Sequence, residues 1–157
     1  MNEGDGQSAR WLRDRIEIER LVYLYGRGND VDVAFFDQCM IDEVEVEYPF
    51  GKWKGLDAHK RMHQATIPVA FTFTQHYLSN PIIEIDGDTA TGHYNVFAAH
   101  GMKTPDGQAV VYAGAIYMHD LVRTPKGWRI KRHRCVTTWI DDKGGLMSAV
   151  QKAHDSV

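Results

Sequence analysis

Apolar positions early in the chain repeat at helical spacing. Ile18, Leu21, Val22 and Tyr25 fall on one stripe, and Arg13, Glu17 and Arg20 lie mostly elsewhere on the wheel. Ser8 is the expected N-cap of a first helix that runs to about Asp30, loosened near its end by Gly26 and Gly28. A short second helix is expected from Val33 to Met40, capped by Asp32. The period then changes. Glu43-Val44-Glu45-Val46-Glu47-Tyr48 alternates strictly, which predicts a half-buried strand with Val44, Val46 and Tyr48 on one face. Pro49 and Gly51 break that strand, and Gly55-Leu56-Asp57 opens a third helix ending before Pro68. From Phe71 the pattern is β: Phe71 to Leu78, Ile82 to Ile85, Thr89 to Ala99, Val110 to Val122, and Trp128 to Trp139. Asp86-Gly87-Asp88, Thr104-Pro105-Asp106-Gly107 and Pro125-Lys126-Gly127 read as hairpin turns. Residues after Asp141 read as a tail with at most one helical turn.

Helices first and long antiparallel strands afterwards indicate an α+β fold rather than alternating βαβ units. A strongly bent antiparallel sheet wrapped around the N-terminal helices would enclose a pocket. Without internal repeats or linkers, the 157 residues suit one domain, with its core at about 8–141 between polar tails.

Composition narrows the partners. Apolar residues make up 43% and charged residues 25%, both in the globular range. The 18 Lys plus Arg and 21 Asp plus Glu give a net −3, which argues against a nucleic-acid binder. Cys39 and Cys135 lack metal spacing and read as buried, reduced thiols. Neither a charged leader before an apolar stretch nor a membrane-length apolar run is visible, so a cytoplasmic protein without a membrane partner is expected.

No glycine-rich phosphate loop, nucleophile elbow or CxxC pair is present, and no cofactor is expected. His59 and His63 are four apart and could face one metal. The run lacks a metalloprotease glutamate and an obvious third ligand, so both are read as solvent-facing. Lys131-Arg132-His133-Arg134 lies on a strand, so two of the four are expected to face inward or into an interface. Arg132 there would hold an anionic substrate group, or instead bridge to Glu43, Glu45 or Glu47. His76 and His100 sit within strands, Asp30 at a helix end and Tyr48 at a strand end. A histidine that donates one ring N–H to a carboxylate can use its other nitrogen as a general base.

Several features taken in order carry a family resemblance: Tyr25 with Asp30, Thr74-Gln75-His76-Tyr77 with Asn80, Asp86-Gly87-Asp88-Thr89-Ala90, Leu121-Val122-Arg123, and Gly127-Trp128-Arg129-Ile130. From about Ile18 to Trp139 the chain resembles the scytalone dehydratase and SnoaL-like branch of the nuclear transport factor two-like superfamily. That resemblance implies a cone-shaped α+β barrel around a deep apolar pocket. It implies a catalytic pair in Asp30 and His76, a second catalytic histidine in His100, and catalytic tyrosines in Tyr25 and Tyr48. Asn29 stands where scytalone dehydratase has a tyrosine, and the polar residues of its penultimate strand are largely replaced around Gly114 to Tyr117. Asn29, Tyr117 and Arg132 are assigned to substrate binding.

The resulting expectation is a metal- and cofactor-independent lyase acting on a small apolar, aromatic or polycyclic substrate. It would eliminate water or cleave a carbon–carbon bond to release a small aldehyde, as in the breakdown of aromatic compounds. An isomerase or cyclase in the same pocket, and a ligand-binding module without catalysis, are the alternatives. Apolar residues on both faces of Val110 to Val122 further predict a homodimer or higher homo-oligomer.

Overall fold

The computed structural model describes residues 3–104 and 107–141, with Gly145, Ser148 and Lys152 beyond them. Pro105 and Asp106 of the expected third turn, and most of the expected tail, lie outside the described residues. Helix α1 spans Glu3–Asp30, so Ser8 lies inside it rather than capping it. Asp32 caps a single 3₁₀ turn, Val33–Phe35, by accepting from the Ala34 N–H at 2.8 Å, and this leads into the short helix α2, Phe36–Cys39. Strands β1 (Met40–Tyr48) and β2 (Gly51–Lys54) precede α3 (Leu56–Ala70). The long strands β3 (Phe73–Asp86), β4 (Thr89–Thr104), β5 (Gly107–Thr124) and β6 (Gly127–Ile140) complete the fold.

The sheet order is β2-β1-β6-β5-β4-β3. Every neighbouring pair is antiparallel except β1 and β6, which run parallel. The wholly antiparallel sheet expected from the sequence is thus a curved, mixed sheet that does not close. β2 was missed because it is only four residues long, directly after the break at Pro49. Pro68 does not end α3; it removes one N–H from the last turn, yet the helix runs two residues further and Phe71 N–H still bonds Ile67 O at 2.9 Å. The two short strands expected around Asn80 are one strand, kinked by a bulge between Ser79 and Ile82 with Asn80 at φ 53°.

α1 lies against the concave face and buries Ile18, Leu21, Val22 and Tyr25, the stripe read from the sequence. Gly26 and Gly28 do not distort the helix. They let other elements approach it: a Cβ on Gly28 would run into the Phe36 ring, and one on Gly26 would meet Leu78 at 2.9 Å. Asp14 ties α1 to the sheet, accepting from Arg123 at 2.6 and 2.9 Å and from Trp128 Nε1 at 3.1 Å. Among the described residues no helix is long and apolar enough to cross a membrane.

Candidate active site

α1, α3 and the concave side of the sheet enclose a cavity of about 140 Å³. Its walls are mostly aliphatic and aromatic, including Phe50, Trp53, Phe71, Val96 and Ile140. Among the described residues no Lys, Arg, Asp or Glu lines it. Its polar side chains are imidazoles, phenols, Asn29, Thr66, Cys135 and Thr137.

Asp30 is the last residue of α1 and His76 lies near the start of β3. Asp30 Oδ1 is 2.6 Å from His76 Nδ1. β3 is an edge strand, so it has N–H groups that point away from its only partner. The one at His76 is donated to Asp30 Oδ2 at 2.8 Å, and the Thr74 hydroxyl approaches Oδ1 to 3.1 Å. A carboxylate at a helix C-terminus faces the negative end of the dipole. Burial also raises the Asp30 pKa, yet the bonds from His76 and Thr74 outweigh it and hold the group below its ordinary value. An ionised carboxylate only accepts, so His76 Nδ1 carries the hydrogen of this bond. His76 lines the cavity; Asp30 stands behind it.

His100 closes the inward series Tyr94, Val96, Ala98, His100 on β4 and lines the same cavity, its ring 5.6 Å from that of His76 and nearly perpendicular. Burial, with His76 nearby, pushes its pKa down to about 4. Burial thus favours the uncharged ring of His100 near neutrality.

Tyr48 ends β1 and lines the cavity, stacked on Trp53. Its hydroxyl is 2.6 Å from that of Tyr25. Tyr25 is fully buried and does not reach the cavity. Tyr117, from β5, also lines the cavity and approaches the Tyr48 hydroxyl. Burial raises the pKa of all three phenols.

Asn29 lines the cavity, with its Oδ1 3.1 Å from His63 Nε2. His59 and His63 are not solvent-facing. They lie on the inner face of α3, His59 accepting from Trp53 Nε1 at 3.2 Å, and burial lowers their pKa values to about 3 and about 4. The spacing Leu56, His59, His63, Thr66 is a helical stripe and was the signal available for them. Among the described residues no group of three or more His, Cys, Asp or Glu is arranged to hold a metal.

Arg132 does not reach the cavity. A bulge between Asp120 and Leu121 makes Lys131 the extra residue, so Ile130 and His133 point inward while Lys131, Arg132 and Arg134 are exposed. One of the four residues faces inward, not two. Arg132 instead pairs with Glu45 at 2.7 Å across the parallel β1–β6 ladder. Cys39 and Cys135 are free thiols, the second on the cavity wall.

The sequence matches the SnoaL-like domain family over residues 10–134, and the chain belongs to that family. It is 31% identical over 131 residues to an uncharacterized protein of Mycobacterium tuberculosis, a match covering 80% of this chain and 86% of that one. Two solved structures share the fold. One, from Novosphingobium aromaticivorans and provisionally described as a scytalone dehydratase, has a TM-score of 0.76 at 24% identity, covering 86% of this chain and 91% of its own. The other is hexachlorocyclohexane dehydrochlorinase LinA-type3 from Novosphingobium barchaimii, with a TM-score of 0.76 at 17% identity, covering 85% and 92%.

Proposed function

We propose that this protein is a cofactor-independent lyase whose base is the Asp30–His76 pair and whose substrate is a small, uncharged, aromatic or polycyclic molecule. The observation that carries the reading is the 2.6 Å contact between Asp30 Oδ1 and His76 Nδ1, behind a cavity wall in which no described residue is a Lys, Arg, Asp or Glu. It fixes the tautomer that leaves Nε2 as a base, and Asp30 stabilises the positive charge His76 acquires on taking a proton. Family membership and the fold shared with proteins named as a dehydratase and a dehydrochlorinase support the same class of chemistry.

In a dehydration, His76 takes the proton from carbon, the C–H electrons form the new double bond, and the C–O bond breaks. Near neutrality His63 and His100 carry no proton to spare, and burial makes the tyrosines weak acids. His76 therefore returns its proton to the departing hydroxyl, acting on one face of the substrate. In the carbon–carbon cleavage variant, His76 takes a hydroxyl proton and the O–H electrons form the carbonyl of the departing aldehyde. The C–C electron pair moves onto a neighbouring substrate carbonyl as an enolate, and His76 returns the proton to the carbon that lost the bond. Tyr48 stabilises oxygen on which negative charge develops.

The reading is tested by incubating the protein with a panel of uncharged hydroxylated aromatic and alicyclic ketones and weighing the products. A product lighter by one water, or split into two fragments, is expected, and His76→Ala should abolish it. A product of unchanged mass would make the protein an isomerase instead.

A further inference from the structure

The Tyr25 hydroxyl is sealed from solvent and, among the described residues, has one hydrogen-bonding partner, the Tyr48 hydroxyl. A buried O–H must give its hydrogen to an acceptor or forfeit the bond altogether. Tyr25 is thus the donor and the Tyr48 oxygen the acceptor. The hydrogen of Tyr48 is then free to point elsewhere. Tyr117 approaches the same oxygen, and the hydrogen bonds of both neighbours favour charge on it.

Tyr25 cannot easily turn away. Its ring is stacked on His133 at 4.4 Å and parallel to His59 at 6.0 Å. Phe36 lies at 5.3 Å and the edge of Tyr117 at 5.7 Å. His133 is itself anchored, its Nδ1 3.0 Å from His119 Nε2.

We propose that Tyr25 is a positioning residue that makes Tyr48 a one-way hydrogen-bond donor to an uncharged carbonyl or phenolic oxygen of the substrate. Tyr25 acts only through Tyr48. A phenol that accepts a hydrogen bond donates a stronger one, so a buried donor behind Tyr48 increases the pull on the substrate oxygen. The absence of a cation from the described cavity wall suits a ketone or phenol and disfavours a carboxylate. This inference rests on the lyase reading for the identity of the substrate, but not for its test.

The test uses 4-nitrophenol, a chromophore bound but not consumed, titrated into the intact protein while its absorbance reports neutral and anionic forms. Tyr48→Phe should weaken binding of the anionic form about tenfold relative to the neutral form. Tyr25→Phe should weaken it roughly threefold in the same direction. Replacing Tyr25 with 3-fluorotyrosine, a stronger donor of nearly the same shape, should tighten it, and this keeps the test alive if Tyr25→Phe fails to fold. An unchanged ratio in both Tyr25 variants would overturn the proposal, as would failure of the wild-type protein to bind the probe. If the ratios move as expected in a protein that eliminates nothing, the lyase reading fails alone.

Discussion

Asp30 Oδ1 and His76 Nδ1 are 2.6 Å apart although 46 residues separate them in the chain. The contact joins the C-terminal end of a helix to an edge strand, and the His76 backbone N–H bonds the same carboxylate at 2.8 Å. Side chain and main chain of one residue thus grip both oxygens of another. That grip fixes the ring orientation on which the proposed chemistry depends.

Buried neutral histidines make the fold sensitive to acid. Burial lowers the pKa of His59 and His119 to about 3 and of His63 and His100 to about 4, against an ordinary 6.5. The unfolded chain therefore binds more protons than the folded one below pH 6.5, and stability falls as pH falls through that window toward the folded values. The thermal midpoint should be flat above about pH 7 and drop steeply between about pH 6 and 4. A midpoint unchanged from pH 7 to 5 would show that these groups are not held neutral in the native state.

His100 should matter for rate more than for folding. Being neutral, it serves by hydrogen bonding, so His100→Gln should keep part of the turnover that His100→Ala loses, both with cooperative melts. The rate should show no dependence on a protonated His100 between pH 6 and 8. Near-normal turnover of a well-folded His100→Ala would remove His100 from the mechanism.

Asp14 is a structural counterpart far from the cavity chemistry. Asp14→Ala would leave two nitrogens of Arg123 and the buried Trp128 N–H without their acceptor, while Arg123 Nε keeps its bond to Asp88. A loss of about 2 kcal/mol of stability is expected from denaturant melts, with binding in the cavity unchanged. A change below about 0.5 kcal/mol would mean that water or Asp88 replaces the carboxylate fully.

The convex face of the sheet predicts self-association. Tyr77, Phe97, Tyr112 and Trp139 are 40–53% exposed, and Phe97 contacts each of the other three rings. Such a patch can face its own copy without placing like charges together. Light scattering at micromolar concentration should give a dimer or larger, and Phe97→Arg should shift it toward monomer. A wild-type monomer would refute this.

Much of this architecture was readable from local pattern. The α1 stripe, the alternation of β1 and the turns around Gly87 and Gly127 are set by residues close in sequence. The parallel pairing of β1 with β6 was not, because it joins Glu45 to Arg132 across most of the chain. Inward histidines were the other blind spot. His119 and His133 are polar by type, and only the packing of rings around Tyr25 shows that they belong inside. The bridge from Arg132 to Glu45 was among the readings of its strand, but the inward register of two of the four residues failed for a related reason: one bulge at Lys131 resets the alternation, and no local signal marks it.

The central claim is that Asp30 and His76 act as one base. The measurement that bears on it most directly is a double-mutant cycle on turnover with the substrate found by the product screen. His76→Ala should lose about 10²–10⁴-fold, the usual contribution of a general base. Asp30→Asn should lose a large part of that, because an amide can hold the ring in the wrong tautomer. The double variant should be little slower than the slower single one, since the two residues share one function. Fully additive losses, or an Asp30→Asn protein of normal rate, would contradict the account.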